Sequence, residues 1–229
     1  MSQTTNENRM KELEEVFPFV KRLDQKEKEL IMENTRTRNY KKGDIVHEGE
    51  TDCTGVVGII QGRVKTFMLS SKGKEVALFR LLPKDACILS ASCMMNNIVF
   101  DVHVSAEEDS EILVVNAEYF EDLTKRNPEA EKFRNDIIAM RFSEVMWLVE
   151  QVMFKRMDQR IAGFLLEMIN IGGTPEILLS HQEIADNLGT AREVVSRILK
   201  YFEKDGIIKI SRKAILILDI DRIYEIAQD

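Results

Sequence analysis

Residues 179–199 constrain this chain more than any other stretch, because they specify two short helices meeting at a fixed corner. Ser180-x-x-Glu183 and Thr190-x-x-Glu193 are both capping-box patterns, in which a hydroxyl accepts from a backbone N–H three residues on and the glutamate reaches back. Ile184, Ala185 and Leu188 give the first helix an apolar face. Val194, Val195, Ile198, Leu199 and Phe202 do the same for the second. Gly189 stands between them, where a left-handed C-terminal residue is needed. The spacing therefore predicts a helix-turn-helix. The free face of the second helix carries Arg192, Glu193, Ser196, Arg197 and Lys200, brought to one side by i, i+3 and i+4 spacing. Arginine, glutamate and serine are residue types that read base edges in a DNA major groove. Alone, such a face would be an ordinary solvated helix surface. The glycine, the two caps and the charge placement together favour the reading role.

The 229 residues carry a net charge of −7, which looks wrong for a DNA binder. Its distribution resolves the conflict. Residues 180–213 hold seven Lys/Arg against five Asp/Glu, so the acidic excess lies outside the reading head. An acidic body also suppresses indiscriminate phosphate binding. No apolar run approaches the ~20 residues of a membrane span, and the polar start has no signal-peptide core. The expected location is the cytoplasm. Cys53, Cys87 and Cys93 make an odd set in such a chain, so a disulfide framework is not expected. No Ser-His-Asp arrangement and no phosphate loop is visible, and the three histidines are scattered, so the chain is not expected to be an enzyme.

Along the chain, residues 1–10 read as a mobile tail and 11–35 as helical. From about 36 to 118, short strands alternate with turns such as Lys42-Gly43-Asp44, Glu48-Gly49-Glu50, Gln61-Gly62-Arg63 and Lys72-Gly73-Lys74. The predicted strands are 45–47, 56–60, 63–69, 75–81, 100–106 and 111–115. A long helix follows, with Ile138, Phe142, Val145, Val149 and Val152 at 4-3-4-3 spacing, the seam of a two-stranded coil. Its further apolar residues suggest a second buried face, on its own domain. Gln159–Asn170 is helical, Gly172-Gly173-Thr174-Pro175 breaks it, and the two reading helices come next. Residues 207–210 and 214–218 then form a two-stranded wing. The domains are thus a tail (1–10), a sensor β-roll with an N-terminal helix (11–128), a long dimerisation helix (129–155) and a winged helix-turn-helix (156–229).

In that order, roll, long helix and winged helix-turn-helix, the chain resembles the Crp–Fnr family of bacterial transcription regulators over about residues 13–226. The glycine landmarks of the roll and Arg160-Ile161-Ala162 also match. The resemblance implies an α+β fold with a cyclic-nucleotide-binding-like β-roll. It implies a homodimer joined along the long helix, with two recognition helices in successive major grooves of palindromic double-stranded DNA. RNA polymerase is a further partner that it leaves open. Glu193 and Arg197 fall on the family's base-reading glutamate and arginine, Arg192 matches the Crp branch and Ser196 the Fnr branch. A half-site related to TGTGA or TTGAT follows, without a choice between them. Ser180, His181, Gln182, Thr190 and Lys200 are the phosphate-contact candidates.

The effector site departs from the family pattern. Cyclic-nucleotide binders use a Gly-Glu-Leu segment and an Arg-Ser/Thr-Ala segment, the arginine neutralising the phosphate. Here residues 87–95 contain no Gly-Glu-Leu, Phe100 stands where the arginine belongs, and Val145 and Met146 replace the hydroxyls offered by cyclic-AMP binders. A cyclic nucleotide is therefore not the expected effector. Cys87, Ser90, Ser92, Cys93, Phe100, His103, Val145 and Met146 become the pocket candidates. Thiolate and imidazole at Cys87, Cys93 and His103 suit haem or another soft metal, two cysteines could form a thiol switch, and buried Cys and Met are also ordinary core residues. The alternative to a DNA regulator is a redox or haem/metal sensor that signals through protein partners.

Overall fold

Two β-strands near the middle of the first unit carry side chains that alternate between two different cores, and this sets the architecture. The computed structural model describes residues 2–49, 54–71, 73–94, 101–211 and 214–228, with side chains described from Asn6 onward and excluding 92–94. The chain forms two compact units: residues 1–69 with 78–145, and residues 70–77 with 146–229.

In the first unit, α1 (Ser2–Val16) and α2 (Gln25–Glu33) precede strands β1 (Thr35–Tyr40), β2 (Ile45–Glu48), β3 (Val56–Gln61), β4 (Val64–Leu69), β5 (Glu75–Leu81), β6 (Ala86–Cys87), β7 (His103–Ala106) and β8 (Ser110–Val115). Helix α3 (Ala117–Arg126) and the long α4 (Pro128–Phe154) follow. One sheet runs β1-β8-β3-β6 and the other β2-β7-β4-β5, with antiparallel ladders. Because strand side chains have a period of two, Val57, Ile59, Ile112 and Val114 enter the core between the sheets with Val64, Phe79, Leu81, Cys87 and Val104. Val56, Leu113 and Val115 face the other way, into a core built by Leu13, Val16, Phe17, Phe120, Leu123 and Ile137. The Phe19 and Phe133 rings meet tilted at 5.1 Å and Phe17 meets Phe133 edge-on at 5.9 Å, tying the start of α4 to the N-terminal segment.

At Gly58 the end of α1 and the Phe17 ring lie directly against the sheet. A Cβ there would collide with Val16 and come within 2.8 Å of the Phe17 ring. Gly58→Ala is expected to destabilise this unit by about 1–3 kcal/mol, the usual cost of overpacking a filled core. A thermal melt equal to that of the unaltered chain would show that the α1 packing is wrong.

The second unit contains α5 (Met157–Gly172), β9 (Glu176–Ile177), α6 (His181–Leu188), α7 (Arg192–Lys204), β10 (Ile208–Ile210), β11 (Ile215–Ile217) and α8 (Ile220–Gln228). Its core combines Ile161, Phe164, Leu165, Ile184, Val195, Leu199, Phe202, Ile208, Ile215 and Ile223. The wing is a three-stranded sheet in the order β10-β11-β9, one strand more than the sequence predicts.

Several expectations need correction. Residues 2–10 are helical within α1, where Met10 packs on the core and the Arg9 guanidinium donates to the Thr35 carbonyl. The helical reading of 11–35 divides into the end of α1, a 3-10 turn over Pro18–Arg22 and α2, which the Asp24 side chain caps by accepting from the Glu27 N–H at 2.8 Å. Strands β1, β6 and β9 were not expected. Strand β7 begins at His103, and Phe100 lies outside the described residues. The long helix is observed at Pro128–Phe154, one residue earlier at each end than 129–155.

Candidate nucleic-acid interface and roll interior

Helix α6 is fixed at both ends. The Ser180 hydroxyl accepts from the Glu183 N–H at 3.2 Å, and the Glu183 carboxylate accepts from the Ser180 N–H at 2.7 Å, a complete capping box. At the other end Gly189 adopts φ 62°, ψ 37°. The Thr190 N–H donates to the Ala185 carbonyl at 2.9 Å. Thr190 is thereby occupied in closing α6, so the turn into α7 occurs one residue later and Ala191, without a side-chain bond, takes the N-cap position. The second capping box read from Thr190 and Glu193 is not formed. Arg160 donates to the Leu188 carbonyl at 2.8 Å, placing a cation at the C-terminal end of α6 where the helix dipole favours it.

Helix α7 buries Val195, Leu199 and Phe202 and turns its other side outward. Arg192, Glu193, Ser196, Arg197 and Lys200 line one shallow groove on that side. Arg192, Glu193, Arg197 and Lys200 are exposed and make no ion pair or side-chain hydrogen bond with another described residue. Three cations and one carboxylate are thus presented to solvent on a helix whose inner face is locked. Ser196 differs: its hydroxyl is 2.8 Å from Nδ1 of His181. That link between the two helices is not visible in spacing, because the residues lie 15 positions apart. Of the phosphate-contact candidates, Ser180 is committed to its cap and Gln182 donates to Asp186 at 2.7 Å, while Lys200 is exposed. The wing tip residues Arg212 and Lys213 lie outside the described residues.

On α4 the apolar residues divide between two faces. Ala130, Ile137 and Arg141 are buried and Val145 packs partly into the core between the sheets. Ile138, Phe142, Val149 and Val152 are exposed, as are Trp147 and Met153. Val145 therefore belongs to the inner face more than to the seam. Arg141 is a feature the sequence reading missed. It is 4 % exposed, pairs with Glu144 at 2.7 Å, donates to the Ala86 carbonyl at 3.1 Å and covers the Phe79 ring at 4.7 Å. The available signal was Arg141 and Glu144, the two charged residues in the otherwise largely apolar stretch 137–149.

Among the described residues, Cys87, Ser90 and Val145 gather at the core between the sheets, while His103 and Met146 lie elsewhere. Cys87 is fully buried between the sheets, and Ser90 beside it donates to the Gly55 carbonyl at 2.8 Å. Val104 shares that core with Cys87, so strand alternation puts the adjacent His103 on the opposite face of its sheet, where it stacks on Phe67 at 5.4 Å. Cys87 and His103 cannot hold one metal in this arrangement. Met146 is exposed. Phe100 and the side chains of Ser92 and Cys93 lie outside the described residues. Burial pushes the Cys87 thiol above its ordinary value, with the Ser90 N–H and Arg141 pulling more weakly the other way. A buried, protonated thiol is a poor nucleophile. In the folded protein Cys87 is expected to resist iodoacetamide and to react after denaturation. Peptide mass spectrometry checks this, and equal labelling in both states would return Cys87 to the sensor.

Comparison with known proteins agrees with this architecture. A family model described as Crp-like helix-turn-helix domain matches residues 159–226, and one described as Cyclic nucleotide-binding domain matches residues 37–127. A crystal structure of a crp/fnr-family protein from Eubacterium rectale, described as a transcriptional regulator, superposes with a TM-score of 0.90 at 42% identity, covering 93% of this chain and 99% of that one. The Cyclic AMP receptor protein of Thermus thermophilus is 24% identical over 92% of this chain and 96% of its own length. The transcriptional activator protein anr of Pseudomonas aeruginosa is 25% identical over 80% of this chain and 77% of its own. The fold and the reading helix define a DNA-binding transcription regulator rather than an enzyme. The chain belongs to the Crp/Fnr family. Among the described residues no helix is long and apolar enough to cross a membrane.

Proposed function

We propose that the chain acts in the bacterial cytoplasm as a homodimer joined along α4, reading an inverted repeat through the outer face of α7. The single observation that carries this is that face: Arg192, Glu193 and Arg197 exposed, unpaired among the described residues and mounted on a helix whose other side is core. Arg197 and Arg192 would bond guanine O6/N7, and Glu193 would accept from cytosine N4. Lys200 would hold the phosphate backbone. The exposed stripe of α4 supports the dimer, since contiguous apolar surface of this kind marks an interface. The effector is not a cyclic nucleotide: the phosphate-holding segments are replaced in sequence, and the helix residue Val145 offers no hydroxyl to a base. RNA polymerase is the further partner through which such a regulator would act.

Selection from a pool of random duplex DNA tests the reading. The expected product is an inverted repeat with half-site centres about 10–10.5 bp or a multiple apart, enriched equally with and without added cyclic AMP. Enrichment of no sequence would overturn the regulator's specificity, and enrichment that requires cyclic AMP would overturn the effector reading.

A further inference from the structure

The hydrogen bond between His181 and Ser196 joins a residue at the N-terminus of α6 to one in the middle of the reading face. His181 lines the groove between the start of α6 and the wing, with Arg192, Ile210 and Ser211. Ser196 lines the neighbouring groove with Glu193, Arg197 and Lys200. The imidazole Nδ1 is 2.8 Å from the serine oxygen, and Nε2 has no partner among the described residues. Resting on the reading of α7 given above, we infer that His181 is a specificity-determining positioning residue, which sets whether Ser196 accepts or donates a hydrogen bond at a base edge.

The argument follows from the donor and acceptor inventory. A neutral imidazole has one N–H and one bare nitrogen. A DNA phosphate only accepts, so contact with it through Nε2 requires the proton on Nε2. Nδ1 is then bare and takes the Ser196 O–H. The serine oxygen is left with lone pairs only and selects a base that donates in the major groove, adenine through N6 or cytosine through N4. When the ring is protonated, both nitrogens donate. Nδ1–H then points at the serine oxygen, the serine proton is released, and the preference moves to the acceptors of thymine O4 or guanine O6/N7. The groups facing the ring favour the neutral state: partial burial, then Arg192 and Lys200 from α7, hold it below its ordinary 6.5. Glu183 on its own helix is committed to the Ser180 N–H, and the described wing residues Ile210, Ser211 and Ala214 bring no charge. These groups set the direction in the free protein; in the complex the phosphate on Nε2 acts the other way, and titrations on either side of 6.5 read the sum.

The test is a set of four selected operators differing only at the base pair whose preference Ser196→Ala abolishes. Each is titrated at about pH 8 and about pH 5.5 with the full-length chain and with His181→Arg and Ser196→Ala. A single neutral hydrogen bond predicts about 3- to 10-fold discrimination per half-site. The unaltered chain at high pH is expected to favour adenine or cytosine. At low pH, and in His181→Arg at both pH values, it is expected to shift toward thymine or guanine. The readout is the ratio between operators, which a general gain of positive charge would not move. Ratios independent of pH and unchanged in His181→Arg would overturn the inference while leaving the regulator intact, as would a Ser196→Ala chain that keeps every preference. Failure to select any operator would overturn the α7 reading and this inference with it.

Discussion

Arg197→Ala is expected to weaken binding to the selected operator by about 1–3 kcal/mol, while affinity for scrambled duplex changes little. The side chain is exposed, lies between Glu193 and Lys200 on the outer face of α7, and contributes nothing to the core formed by Val195, Leu199 and Phe202. Its removal should leave the fold and thermal stability intact. If Arg197 only neutralised phosphate, specific and scrambled DNA would lose affinity together and the salt slope would fall by about one unit. Fluorescence anisotropy on the two duplexes at two salt concentrations separates these cases. Equal losses on both would remove Arg197 from base reading.

The second large effect concerns α4. Phe142 and Val149 are 65% and 39% exposed in the single chain and stand on the face away from Ile137 and Arg141. Phe142→Glu combined with Val149→Glu is expected to convert a dimer into monomers. Unpaired charges forced into an apolar seam cost about 3–5 kcal/mol each, and like charges would meet across the two-fold axis. Because neither residue is buried in its own chain, the circular dichroism spectrum should not change. Sedimentation equilibrium reads the outcome. A dimer that survives both substitutions would place the interface elsewhere.

Much of this was legible before any coordinates, and the exceptions have physical causes. Strands β2, β3, β4, β5 and β8 were visible because apolar alternation is punctuated by glycine turns. β1 was not, because Thr-Arg-Thr-Arg-Asn is a largely exposed edge strand with no apolar face to read. β6 and β9 are two residues each, too short for any period. The break at Pro18 and the cap at Asp24 were present in the sequence but outweighed by apolar spacing on either side. On the reading helix, spacing identified the outward residues. It could not reveal that Thr190 spends its N–H closing α6, or that Ser196 is tied to His181. In the roll, a cysteine, a serine and a histidine near one another in sequence suggested one site, but strand alternation sends Cys87 and His103 to opposite faces.

The most direct measurement is a titration of the full-length chain on its selected inverted repeat and on the same duplex with both half-sites scrambled, at one stated salt concentration. The account predicts two chains per duplex and an affinity on the selected site about 10³-fold or more above that on the scrambled one. Equal affinities on the two duplexes would contradict it.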